Sequence, residues 1–162
     1  MRTVRARRLE NKTDYKARFS LLKSELPRFV VRKTNRYIIV QLVKSDIAQD
    51  RVIFTLNSKS LLKSGWSKEK VGSLKSLVAA YIIGIKAGEE ALKHKIHDAI
   101  FDIGMYRNIH KSRIYSVLKG ALDAGLKIKH SPEVLPSIEQ LKKNSSLAEI
   151  LSKLTKIKPE AK

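Results

Sequence analysis

The sequence predicts an α/β fold in the order βββαβα: a mixed sheet with packed helices, a basic N-terminal extension and a C-terminal helical tail. Three observations predict it. Two β-branched or aromatic runs, Phe29-Val30-Val31 and Tyr37-Ile38-Ile39-Val40, flank the polar turn Lys33-Thr34-Asn35, and a third alternating run follows at residues 51–57. Three such runs in succession make an antiparallel meander. A helix of apolar residues at 3.6 spacing comes next, and beyond it lies the strand pattern Ala99-Ile100-Phe101-Asp102-Ile103. A strand reached through a helix implies a crossover connection.

Taken in order, the chain divides into an arm over residues 1–26, an α/β domain over 27–131 and an extension over 132–162. In the arm, residues 13–22 suit a short helix capped by Thr13 or Asp14, with Tyr15, Phe19 and Leu22 on one side and Lys16 and Lys23 beside them. Pro27 ends it. The hairpin spans residues 28–43, and in the third strand Val52, Phe54 and Leu56 alternate with Arg51, Ile53 and Thr55. Residues 57–73 read as a polar loop with Lys59, Lys63, Lys68 and Lys70 around Gly65-Trp66, where Trp66 either stacks on a base or anchors the loop. Ser73 or Ser76 caps a helix reaching about His94, with Leu74, Leu77, Val78, Tyr81, Ile82 and Ile85 at helical spacing. Its small-residue stripe of Ala80, Gly84, Ala87, Gly88 and Ala91 predicts close helix-on-sheet packing. After the strand at residues 98–104, Ser112 starts a helix with Ile114, Val117, Leu118, Ala121 and Leu122 inward and Gly125 at its C-terminal end. The chain then turns at Pro132 and Pro136, and Leu147, Ile150, Leu151 and Leu154 mark a weak amphipathic helix in the tail.

Charge narrows the function. Lys and Arg number 34 against 15 Asp and Glu, a net charge of +19. An excess of this size repels itself unless a polyanion compensates it. Residues 1–36 alone carry twelve basic and three acidic residues, and arginine, whose planar fork suits phosphate, is the commoner of the two bases. No apolar run approaches the roughly 20 residues that span a bilayer, and the N-terminal residues alternate basic and apolar types unlike a secretory leader. The absence of cysteine excludes disulfides, thiolate metal sites and cysteine nucleophiles.

A meander followed by a crossover helix is also the order of ribonuclease-H-like folds, so a nuclease must be tested on its acids. Two-metal nucleases need several carboxylates converging on the sheet. Asp98 and Asp102 fall four apart on one strand, yet the first strand offers no acid to meet them, and a strand-start cap and a local salt bridge are the expected roles. His94 and His97 have no partner ligands at metal-binding spacing, and no nucleophile elbow or phosphate-cradling glycine motif appears. No catalytic residue, metal or cofactor is therefore expected. The segment from Arg107 to Arg113 lies between a strand end and a helix start, so Arg107, His110, Lys111 and Arg113 can meet a phosphate beside free helix amides. A solvated basic loop is the plainer reading of the same residues.

Two stretches carry more than composition: TDYKARFSLLKSELPRFVVRKTNRYIIVQLV over residues 13–43 and DIGMYRNIHKSRIYSVLKGALDAGLKIKHS over residues 102–131. With Ser58-Lys59, Gly65-Trp66 and the segment AAYIIG between them, they resemble large-subunit ribosomal protein L-eighteen in its archaeal and eukaryote-like form. The likeness covers roughly residues 3–140. It departs from the family at residues 71–76, where serines replace the usual Gly-Asn-Thr-Pro-type helix entry. The resemblance implies a ribonuclease-H-like domain without nuclease activity, bound to 5S rRNA in the central protuberance of a cytoplasmic ribosome. Large-subunit rRNA and neighbouring large-subunit proteins would be its other partners, with no membrane and no small-molecule substrate. Carried onto this chain, it places RNA contacts on the arm (Arg2, Arg5, Arg7, Arg8, Lys12, Tyr15, Lys16, Arg18, Lys23), on the hairpin turn (Arg32, Lys33, Asn35, Arg36, Tyr37), on Lys59 and Trp66, and on the loop with Arg107, His110, Lys111 and Arg113.

Overall fold

Alternation along β1 (Arg28–Lys33) sends Phe29 and Val31 into a fully buried core and leaves Arg28, Val30 and Arg32 on the opposite face. This two-sided strand sits third in a five-stranded sheet ordered β3-β2-β1-β4-β5. The computed structural model describes residues 6–10, 12–46, 49–66 and 68–142. The positions of Arg2 and Arg5 and the tail helix expected around Leu147 to Leu154 lie outside them.

β1 pairs antiparallel with β2 (Ile38–Asp46), which pairs antiparallel with β3 (Gln49–Asn57), as the meander requires. On its other edge β1 runs parallel to β4 (Asp98–Asp102), with Val30 opposite Asp102. A fifth strand absent from the sequence reading, β5 (Lys127–Ile128), runs parallel to β4. Two residues are too few to display a period, so only the tertiary pairing reveals it. The alternation in sequence also predicts an unbroken β3. A register shift at Leu42/Val43 instead inserts Ile53, so that Val52 faces Val43 on the open side and remains 48% exposed.

One face of the sheet is covered by α3 (Leu77–Lys93) and α4 (Arg113–Asp123). Ser76 caps α3 by accepting from the Ala79 amide at 3.2 Å, as its position in the sequence predicts. Ser112 occupies the N-cap position of α4 without a side-chain capping bond, and Gly125 adopts φ +105° just past its end. Phe29, Phe101 and Tyr115 join sheet to helix, with ring centroids 6.4 and 5.9 Å apart. The small-residue stripe requires a correction: Gly84 and Gly88 face α4, so it serves helix-on-helix contact, not only helix-on-sheet packing. The residues expected to form a loop after β3 wind into two short 3-10 helices, Ser58–Ser64 and Lys68–Ser73. Beyond β5, Val134 and Leu141 close the core, Leu141 from α5 (Ile138–Lys142).

The arm carries α1 (Ala6–Leu9) and α2 (Tyr15–Leu22); Asp14 caps α2 by accepting from the Lys16 and Ala17 amides at 3.0 and 3.2 Å. No described helix is long and apolar enough to cross a membrane.

Candidate nucleic-acid interface

The open face of the sheet is organised by a chain of opposite charges. Arg28, with a side chain only 6% exposed, reaches Asp102 at 3.0 Å and Asp50 at 2.8 Å. Asp102 in turn accepts from Arg32 at 3.1 Å and from the Gly104 amide at 2.8 Å, while Asp50 also binds Arg18 of α2 and the Ser45 hydroxyl. Burial pushes the Asp50 carboxyl up, but the hydrogen bonds from Ser45 and Arg28 and the charges of Arg28 and Arg18 outweigh it and hold the group below its usual range. The result is a Arg18–Asp50–Arg28–Asp102–Arg32 relay that ties the arm to the sheet.

These contacts decide how the acids function. Asp102 meets the salt-bridging role expected of it, and β1 presents two arginines where a metal-dependent nuclease would need carboxylates. Among the described residues no group of three His, Cys, Asp or Glu could hold a metal ion.

The hairpin turn and the loop before α4, far apart in sequence, form one surface. The Tyr106 hydroxyl donates to the Lys33 carbonyl, and the Lys33 ammonium lies 5.9 Å from the Tyr106 ring centroid. Thr34 closes the turn through bonds with Tyr37 at 2.9 Å. The loop has two further anchors: the Tyr115 hydroxyl donates to Asn108, and the Lys111 amide donates to the Val134 carbonyl at 2.9 Å. Lys111 takes φ +56° to make that bond. Between these fixed points Arg107, His110, Lys111 and Arg113 are all exposed, as are Lys33, Asn35 and Arg36 across the seam.

The remaining expected contacts fall into groups. Arg7, Arg8, Lys12, Lys16, Lys23 and Lys59 are exposed, while Tyr15 and Tyr37 are half-buried. Arg7 donates to the Thr13 hydroxyl at 3.0 Å, and Lys23 covers the Phe19 ring at 4.9 Å. Arg18 and Arg32 are committed to carboxylates. Trp66 is 4% exposed within the core, which fits anchoring and removes it as a stacking surface. Arg28 and Tyr106 as organisers of this surface are not foreseen from the sequence, and for Asp102 a salt bridge is expected without its two arginine partners. The spacing of Arg28 and Arg32 on one strand face was a usable signal, because two arginines beside a buried sheet demand an acid.

Between α2 and the open sheet face lies a groove of about 610 Å³, lined by Arg7, Lys12, Arg18, Arg28 and Arg32 with Val30, Gln41, Val43 and Val52 on the sheet side.

Comparison with known proteins follows the same residues. A family model described as "Ribosomal large subunit proteins 60S L5, and 50S L18" matches residues 1–98 and 89–131. A Korarchaeum cryptofilum protein named large ribosomal subunit protein uL18 is 48% identical over 84% of this chain and 68% of its own length. The proteins of that name from Aeropyrum pernix and Methanospirillum hungatei are each 42% identical over 84% of this chain, and the match covers 62% and 75% of their respective lengths.

Proposed function

The chain belongs to the uL18 family of large-ribosomal-subunit proteins, and from that premise we propose that it is a non-catalytic ribosomal constituent that binds 5S rRNA. In this reading it works in the cytoplasmic ribosome, helping attach 5S rRNA to the large rRNA at the central protuberance, against neighbouring large-subunit proteins. The observation that carries the reading is the hairpin–loop surface, a rigid basic patch inside the matched region. Fixed cations beside a fixed backbone recognise the shape of a folded RNA, whereas a mobile basic tail supplies mainly salt-dependent affinity. The strand order, with β1 antiparallel to one neighbour and parallel to the other, supports a ribonuclease-H-like assignment for residues 27–131. Residues 1–26 then act as an RNA-binding arm and 132–162 as an extension.

Titration of 5S rRNA, an unrelated folded RNA and duplex DNA tests the proposal directly. Specific binding to 5S rRNA supports it; equal affinity for all three overturns it. The affinity should be strongly salt dependent. With about six phosphates neutralised, it falls roughly a thousandfold between about 50 and 200 mM salt. Deleting residues 1–12 should flatten that dependence and weaken both RNAs alike. The double change Arg107→Ala and Arg113→Ala should instead erode discrimination between them without lowering Tm, because both side chains are exposed.

A further inference from the structure

Arg32 lies on the turn that the proposed function assigns to RNA, but its hydrogen bonds are unlike those of a phosphate contact. Nη1 donates to the Val31 carbonyl at 3.0 Å and to the Asp102 carbonyl at 2.9 Å, and Nη2 donates to the Asp102 carboxylate at 3.1 Å. Three of the five guanidinium N–H groups are therefore spent on the protein itself. Its charge is also partly offset by a buried carboxylate, which it shares with Arg28.

What the side chain does retain is a surface. A Cβ built on Gly104 would lie 2.8 Å from Arg32 Cζ, 3.0 Å from Nη2 and 3.1 Å from Nη1. Because the central carbon is nearer than either nitrogen, Gly104 sits over the flat face of the guanidinium and not off its edge. Gly104 takes φ +64°, a conformation that suits glycine, and its bare backbone lets the plane lie flat. One face is thus covered while the side chain keeps 36% exposure at the groove between α2 and the sheet. Gln41 and the nearly fully buried Val30 and Val43 lie on the sheet side of that groove, with Asp50 and Asp102 among its other lining residues.

We propose that Arg32 is a preorganised stacking platform, presenting the guanidinium face opposite Gly104 to one unpaired base of the RNA. This rests on the proposed function and names how one nucleotide is held. Arginine planes stack bases without needing their N–H groups, and immobilisation by Asp102 removes the entropy cost of ordering the side chain.

The discriminating experiment compares wild type, Arg32→Lys and Arg32→Ala for 5S rRNA affinity across a salt series, with a thermal melt of each. Lysine keeps the charge and loses the plane. The expected result is that Arg32→Lys binds roughly tenfold or more weakly, close to Arg32→Ala, with an unchanged salt slope. Lysine restoring wild-type affinity, or alanine reducing the slope by about one, makes Arg32 an ordinary phosphate contact and overturns the proposal. Should either variant melt early, wild-type protein is crosslinked to 5S rRNA carrying 4-thiouridine. Crosslinks from an unpaired position to the Arg32 or Gly104 peptides sustain the platform, and crosslinks confined to other peptides refute it. Wild type that fails to prefer 5S rRNA overturns the proposed function as well; wild type that prefers it beside an unaffected Arg32→Lys overturns the platform alone.

Discussion

Asp102→Ala lowers stability by about 3 kcal/mol or more and Tm by roughly 10 °C, measured by thermal and urea unfolding. The carboxylate is 7% exposed and accepts from two arginines at 3.0 and 3.1 Å as well as from the Gly104 amide at 2.8 Å. Removing it leaves Arg28, 6% exposed, with only Asp50 to compensate a charge the surroundings cannot solvate. Arg28 Nε already has no partner, so this site has no spare acceptor to recruit. Arg32 is more exposed and contributes less to the loss, because water screens it. The control is a matched apolar exchange, Arg28→Met with Asp102→Leu, which removes the buried charges together and should recover much of the lost stability. A Tm within two or three degrees of wild type for Asp102→Ala would show that the relay is decorative and that Arg32 is held by something else.

The elements that were legible in the sequence share a property: their residues reveal them locally. The hairpin, the capped helix at Ser76 and the crossover to β4 each carry a period or cap within a few positions. What was hidden depends on distant partners. The resemblance places RNA contacts on Arg18 and Arg32 but does not reveal their protein partners, since Asp50 lies 32 residues from Arg18 and Asp102 lies 70 from Arg32. Likewise, the basic loop showed its charge but not that Tyr106 fastens it to the hairpin 73 residues earlier. Trp66 had two readings that only burial separates. Val52 shares a period with Phe54 and Leu56 in the sequence, and one bulge interrupts it. For the interface, the sequence thus shows which cations exist, and the fold decides which of them remain free to meet a ligand.

The same dependence on a distant partner explains why Gly84→Ala and Gly120→Ala should each be strongly destabilising although alanine is the better helix former. A Cβ on Gly84 would lie 2.2 Å from the Val117 carbonyl oxygen, and one on Gly120 would lie 2.2 Å from that of Tyr81. Both obstacles are backbone, so no rotamer change relieves them; α3 and α4 must move apart by about 1 Å, loosening dispersion contacts along their whole seam. The propensity gain from Gly to Ala is about 1 kcal/mol. Overpacking costs about 1–3 kcal/mol where side chains can yield and more where they cannot, so the clash should win. Each single change should lower stability by about 2–3 kcal/mol net, read as a shift of the urea midpoint. Since one separation relieves both contacts, the double variant should cost less than the sum of the singles. Gly72→Ala is the internal control, because nothing lies within 4 Å of the added Cβ, and its midpoint should barely move. Near-neutral effects at Gly84 and Gly120 would mean that the two helices sit farther apart than this packing requires. α4 begins at Arg113, so a displaced seam should also shift the basic loop, and both glycine variants should lose RNA discrimination even well below their melting temperatures.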